Sequence, residues 1–440
     1  MSTGPIFLVP SKFRLSLTQS AFVLVSGRLG AVYGHQKLLL LGGAIIVVFS
    51  TANAFCNTYD SFVAVRALTG VGGGILMPYA VATLTIMVPP TKARNITLAA
   101  FAASPPVGAL IGALLAGVFL QYTAWKWHFI LIACFGTFVF GGLFFVLPHE
   151  EPVEKNGKTD CRIRFGRALT FQHRLEPGAL RWIWNTICDC HAGAVSAAHS
   201  FFIWECRYAS EPIMPLTVFH TPSFNALIFV ILFIYMSVGI LLWYMVAWQQ
   251  LIRGWTVLQV AIGWIPFGIG ASMGVTLAAW LIPRLEAQYV LALGCLTSVV
   301  STVLLAAMPE QQLYWAQVFP STFLGSFCPD FVYVAAQIIA SNSVGKREQG
   351  VAGSLIGTLH LYGNSLGLDF AATIEVQIAK YRASEVLGFR AALWFGVALA
   401  TTALILDLVF VRMPKDDREG WKSSEKRNGE VVIGEYTEEK

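Results

Sequence analysis

Apolar residues in this chain come in blocks of about 20, the length an α-helix needs to cross roughly 30 Å of hydrocarbon, with short polar breaks between the blocks. That rhythm predicts spans over Leu38–Asn57, Ser61–Val88, Asn95–Leu120 and Trp125–Leu147, preceded by a shorter helix that turns apolar near Ser20 and ends near Leu29. After a polar interval it predicts Ser223–Ala247, Trp255–Ile282, Gln288–Met308, Leu313–Ser341, Gly350–Thr373 and Phe389–Val411. The expectation is an all-α polytopic membrane protein with about 11 clear spans. An N-terminal helical bundle occupies 1–147, an interval 148–222, and a C-terminal six-helix bundle 223–411. The remainder, 412–440, is too charged to pack and is expected to be a disordered cytoplasmic tail.

Composition turns this pattern into a statement about solvent. Of 440 residues, 56% are hydrophobic and only 12% charged, whereas soluble domains carry about 25% charged residues. Mean hydropathy is +0.63, so a lipid bilayer rather than water is the expected surroundings. The formal net charge of +5 comes from bases in short loops and the tail, not from one stripe interleaved with aromatics, which argues against a nucleic-acid partner. The 8 cysteines lack CxxC or Cys/His spacing, and Cys56, Cys134 and Cys295 sit inside apolar runs as packing residues. No basic stretch, apolar core and small-residue cleavage site opens the chain, so no removable signal peptide is expected. HExxH and paired His/Asp sets are absent, and His128, His220 and His360 have no partner at ligand spacing. Neither an enzyme nor a bound metal or cofactor is expected.

Short loops orient the chain, because Lys and Arg are retained on the cytoplasmic side. Arg28, His35 and Lys37 mark one inside loop, Lys92 and Arg94 the next, and Lys346 with Arg347 a third, while Asn57–Asp60 and Pro309–Gln312 carry no base. Lys380 and Arg382 fall in what reads as an outside loop, and the N-terminus with Lys12 and Arg14 is forced outside as well, which suggests a missing first helix. Both flanks of Pro148–Pro222 read as cytoplasmic, so that interval holds zero or two spans. It is a linker with an amphipathic surface helix or a pair of degenerate spans. A faint repeat joins the halves: Leu24–Gly42 with Arg28 resembles Ala278–Gly294 with Pro283 and Arg284, as two repeated bundles would.

Three motifs follow one another in the first half. Gly27, Arg28, Leu29, Gly30, Gly34, His35 and Lys37 form a small, basic loop between spans, with glycines that permit close helix approach. Arg66 is followed by Thr69, Gly70, Gly72, Gly73 and Gly74, an arginine early in a span with small residues after it. Ser104, Pro105, Pro106, Val107, Gly108, Gly112 and Gly117 give a helix suited to bending and close packing. In this order the three resemble the major facilitator superfamily: its loop signature, its arginine motif and its Gly/Pro antiporter motif. In the second half Tyr314–Gln317, Pro329–Phe331, Ser341–Val344 and Glu348–Ala352 are similar to the fungal 14-spanner drug:proton antiporters of the aminotriazole-resistance branch. The resemblance covers about Thr18–Leu147 and Glu205–Phe410; the family's first helix and its two extra central helices are not recognisable. Ala31 and Val32 stand where the family usually has an acid and a base, and Thr69 where it usually has Gln.

The resemblance implies proton-coupled export of small organic solutes or drugs by alternating access, by a monomer in the plasma or vacuolar membrane. Members of the branch are also associated with low-affinity ammonium or borate movement, and the departures leave a non-transporting receptor or inactive remnant as another reading. An ionised side chain at mid-membrane costs about 2.5–3.5 kcal/mol and so faces a cavity or a partner. That marks Arg66, Asp330, Asp369 and Asp407; the resemblance implies that the helices of Arg66 and Asp330 line the central cavity, which puts these two forward for transport or proton coupling, with a structural ion pair as the alternative for each, while Asp369 and Asp407, on helices that resemble peripheral ones, read as satisfied interhelical hydrogen bonds. Trp243, Tyr244 and Gln249 are possible cavity-lining residues by the same resemblance, and Trp248, beside a loop, reads as an interfacial anchor.

Overall fold

A computed structural model describes residues 19, 22–23, 34–87, 92–147, 222–282, 284–343 and 349–412. The interval 148–221, the tail beyond 412, and Gly27, Arg28, Lys346 and Arg347 lie outside the described residues. Among those described, the helices are α1 (His35–Ala54), α2 (Tyr59–Met87), α3 (Lys92–Tyr122), α4 (Trp125–Val146), α5 (Pro222–Ala247), α6 (Val257–Gly263), α7 (Ile265–Leu281), α8 (Ala287–Ala306), α9 (Tyr314–Gly325), α10 (Phe327–Ser343), α11 (Gln349–Arg382) and α12 (Glu385–Phe410). A π-helical turn, Trp248–Ile252, extends α5.

Two spans read as single helices are each broken in two, and proline explains both breaks. A proline ring clashes with the carbonyl four residues back. Pro266 therefore ends α6 around Ile262, and Pro329 ends α9 at Gly325. Together α6 and α7 still make one span, as do α9 and α10. The last polar helix also departs from expectation. Lys380 and Arg382 are not in a loop but in the final turn of α11, where cations favour the negative end of the helix dipole. At 34 residues and 1.5 Å per residue, α11 is about 50 Å long, well beyond the hydrocarbon thickness. Among the described residues, eight stretches are long and apolar enough to cross a membrane by length and composition, with a shorter apolar run at Val107–Tyr122.

Close crossings hold the helices together, made where glycine removes a side chain. At α1 and α2, a Cβ on Gly72 would meet Ile45 Cγ2 at 2.8 Å and Gly42 O at 2.9 Å. At α5 and α11, a Cβ on Gly239 would lie 2.6 Å from Asn364 O, and one on Gly367 would run into the Met236 backbone. Packing groups α1 with α2 and α4 in one bundle, and α5, α8, α11 and α12 with α7, α9 and α10 in a second. α3 bridges them by lying on α6 and α7, where Gly117 approaches Leu258 and Ala261 and Leu110 fills the space beside Gly268.

The largest buried core lies in the second bundle, around Phe224, Ile231, Tyr235, Leu291, Phe331 and Ile356. By contrast, α4 presents Phe135, Phe138, Phe144, Phe145 and Val146 outward, with Phe145 85% exposed. A continuous outward apolar face of this kind is at home in lipid.

Candidate functional site

The polar chemistry inside the second bundle centres on α10. Breaking the helix before Pro329 frees its surroundings for Tyr235 of α5, whose hydroxyl donates to the Pro329 carbonyl at 3.1 Å. The next residue, Asp330, is half-buried, and its Oδ2 is enclosed without a hydrogen-bond partner among the described residues. Gly274 of α7 makes room for it: a Cβ there would stand 3.2 Å from that oxygen. Aromatic groups continue the cluster. His360 of α11 stacks on the Tyr235 ring at 4.1 Å and meets Tyr333 edge-on at 5.9 Å, and its Nδ1 is buried without a partner. Gln337 donates to the Gly353 carbonyl at 3.1 Å, tying α10 to α11 below this layer. The outcome is a carboxylate with an open oxygen beside π faces, which suits proton exchange and the binding of flat or cationic solutes.

Arg66 sits in the first bundle in different company. Its guanidinium lies over the rings of Phe129 at 4.7 Å and Phe62 at 5.5 Å. Those rings belong to an edge-to-face group with Trp125. A cation over an aromatic face is stabilised by the ring quadrupole, by about 0.5–2 kcal/mol depending on desolvation. The structural ion pair considered for Arg66 is not what holds it among the described residues. Arg66 lies over rings of α2 and α4 and Asp330 beside Gly274 of α7, so the two groups belong to different bundles.

The other expected residues separate. Trp243 is half-buried against the core, whereas Tyr244 and Trp248 are fully buried. Tyr244 donates to Glu375 Oε2 at 2.5 Å and packs on Phe389, which ties α5 to α11 and α12 from within the bundle. Trp248 is no interfacial anchor: the π turn carries the helix one more turn, and the indole is enclosed against Phe389. Gln249 is 3% exposed and accepts from Arg253 at 3.3 Å.

Gly34 has φ 91 as it starts α1, a conformation costly for any residue with a Cβ, and Lys37 is exposed. Gly70 is buried, and Gly72 is at the α1 crossing. Gly108 and Gly112 do not make the close packing expected of them. A Cβ on either would meet nothing within 4 Å among the described residues, and α3 turns Leu110 and Gly117 toward its neighbours instead. Pro106 lies inside α3. Asp369 is half-buried. Asp407 is 1% exposed, yet neither of its oxygens has a hydrogen-bond partner among the described residues, contrary to the satisfied bond expected of it.

Spanning helices in two bundles, each holding an ionisable group away from water, are the build of a membrane transport protein. The family model described as Major Facilitator Superfamily matches residues 14–368, and the chain belongs to that superfamily. It is an integral membrane transporter, not an enzyme. It is 27% identical to a major facilitator superfamily multidrug transporter of Aspergillus fumigatus, covering 95% of this chain and 75% of that one. With a low affinity ammonium transporter of Saccharomyces cerevisiae the identity is 29%, over 88% of this chain and 77% of the other. The aminotriazole resistance protein of the same yeast is 26% identical, over 90% and 75% respectively, in keeping with the branch that the motifs resemble. A solved POT family transporter in complex with a thioalcohol-conjugated peptide superposes with a TM-score of 0.63 at 12% identity, covering 92% of this chain and 94% of that one. At that identity the likeness concerns the fold.

Proposed function

We propose that this transporter exports small organic solutes in exchange for protons, by alternating access between its two bundles. Asp330 is the proton-carrying carboxylate, and the Tyr333 and His360 faces, which Tyr235 backs from within the core, are the adjoining solute contact. The observation that carries this reading is the enclosed, unpartnered Oδ2 of Asp330 next to stacked rings. An aspartate so placed takes up a proton when closed off and gives it up when the bundle opens to water or a cation approaches. Similarity to a multidrug transporter supports a drug-like solute. Arg66, held over rings without a carboxylate partner among the described residues, serves coupling from the other bundle. Trp243, half-buried on α5, adds an aromatic face to the solute path. The exporter works as a monomer in the plasma membrane, with its C-terminus in the cytoplasm.

A second reading, transport of ammonium or borate, draws on the 29% identity to the low affinity ammonium transporter. Efflux of fluorescent and radiolabelled solutes, ammonium analogues included, from cells expressing the chain with and without a protonophore separates the two. Organic-solute efflux that collapses with the proton gradient is expected. Asp330→Asn should then lower coupled efflux by about tenfold or more, as loss of a proton-transfer group does, with surface expression unchanged. Undiminished efflux removes Asp330 from the mechanism.

A further inference from the structure

Asp407 lies in a second enclosed polar place, at the far end of α12 from its Ser384 cap. It contributes to the wall of a cavity of about 470 Å³ between the start of α8 and the end of α12, lined also by Glu286, Gln288, Tyr289, Leu408, Val411 and Arg412. The rim is polar and reaches the surface: Tyr289 is 54% exposed, and Gln288 donates to Glu286 Oε2 at 3.1 Å. Asp407 itself is 1% exposed, and both of its oxygens are buried without a hydrogen-bond partner among the described residues. Arg412, at the same rim, makes no hydrogen bond to either oxygen. Cys295, buried in α8, is close enough to Asp407 for their charges to interact.

We propose that Asp407 is a proton-binding site of its own, separate from Asp330, that exchanges its proton with the aqueous phase through the α8–α12 cavity. An ionised carboxylate buried without a partner is too costly to persist, and no group of three or more His, Cys, Asp or Glu among the described residues is placed to hold a metal ion. The oxygens are covered, so a proton reaches them where a larger cation does not. Glu286, Tyr289 and Arg412 are the titratable or charged groups on the cavity, and Cys295 is a buried one near Asp407. The exchange is a simple transfer: the carboxyl O–H bond breaks to cavity water and re-forms from it. This inference rests on the proton-coupled reading only for its place in transport, since the site itself is defined without Asp330.

The test uses the full-length protein in detergent and follows the infrared carbonyl stretch of neutral carboxylic acid against pH, in wild-type protein and in Asp330→Asn, Asp407→Asn and Asp407→Glu. The difference between wild type and Asp407→Asn is expected to hold an acid band that fades as pH rises, and Asp330→Asn should leave that band intact. In the conservative Asp407→Glu the band should shift rather than vanish, which keeps the test open should Asp407→Asn fail to fold. Absence of that band at every pH, a band indifferent to pH, or an unchanged acid band in Asp407→Asn overturns the proposal. Should Asp407 behave as expected while efflux ignores a protonophore, the site stands and the coupled-export reading fails. The reverse pattern sinks the site alone.

Discussion

The two bundles solve the same problem, an ionisable group inside an apolar protein, in opposite ways. In the first, Arg66 is laid on the faces of Phe62 and Phe129, so its charge is spread over rings. In the second, Oδ2 of Asp330 and both oxygens of Asp407 are enclosed without a hydrogen-bond partner among the described residues. A cation on aromatic faces is settled whatever the pH, because arginine keeps its proton. A carboxyl without a partner is settled only while it carries one. The comparison teaches that charge in the first bundle is fixed and charge in the second is negotiable, which puts the proton chemistry on the C-terminal side. Packing follows the same division. Glycine crossings close both bundles, but the second has the larger buried core, whereas α4 of the first turns most of its aromatic surface outward.

The sharpest way to break this contrast is to attack the crossing of α5 and α11. Gly367→Val places a branched side chain where the Met236 backbone already stands. Overpacking costs about 1–3 kcal/mol when side chains can shift, and more where the obstacle is backbone. The expected result is loss of monodisperse protein in size-exclusion chromatography, and a well-behaved peak would show that α5 and α11 do not cross so tightly. A smaller effect is expected from Tyr244→Phe, which strips Glu375 of its donor. Leaving a buried acceptor unsatisfied costs about 1–3 kcal/mol. Thermal unfolding in detergent should therefore occur at lower temperature, with Tyr244→Phe combined with Glu375→Gln recovering part of the loss. An unchanged unfolding temperature would mean that this bond contributes nothing net.

How much of this was legible in the sequence depends on whether the signal was local. Span positions, and the selection of Arg66 and Asp330, followed from hydrophobic runs and the charges interrupting them. The paired helices α6/α7 and α9/α10 were concealed because a proline break inside an apolar run leaves hydropathy untouched. Tyr244 and Glu375 are 131 positions apart, and nothing in either neighbourhood points to the other. His360 has no ligand at short spacing in the sequence, and its stacking partner Tyr235 lies on another helix. Trp248 stands beside a loop in sequence, yet the π turn extends α5 past it and the indole is buried.

The smallest expected effect is also the one that bears on the antiporter resemblance. Gly108 and Gly112 belong to the Gly/Pro stretch of α3, yet both face open space among the described residues, and the helix meets its neighbours through Leu110 and Gly117 instead. Glycine inside a helix is less favourable than alanine by about 0.5–1 kcal/mol. With no neighbour to strike, Gly108→Ala and Gly112→Ala should leave the unfolding temperature unchanged or slightly raised. Gly117→Ala, whose Cβ would stand 2.8 Å from that of Ala261, should lower it. Transport assays on the same variants then separate two roles. If Gly108→Ala folds well and exports normally, the residue is a passenger of the motif. If it folds well and export stops, the glycine is required in a conformation in which α3 packs along that face. The contrast between a settled first bundle and a negotiable second one would then have to give α3 a moving part of its own.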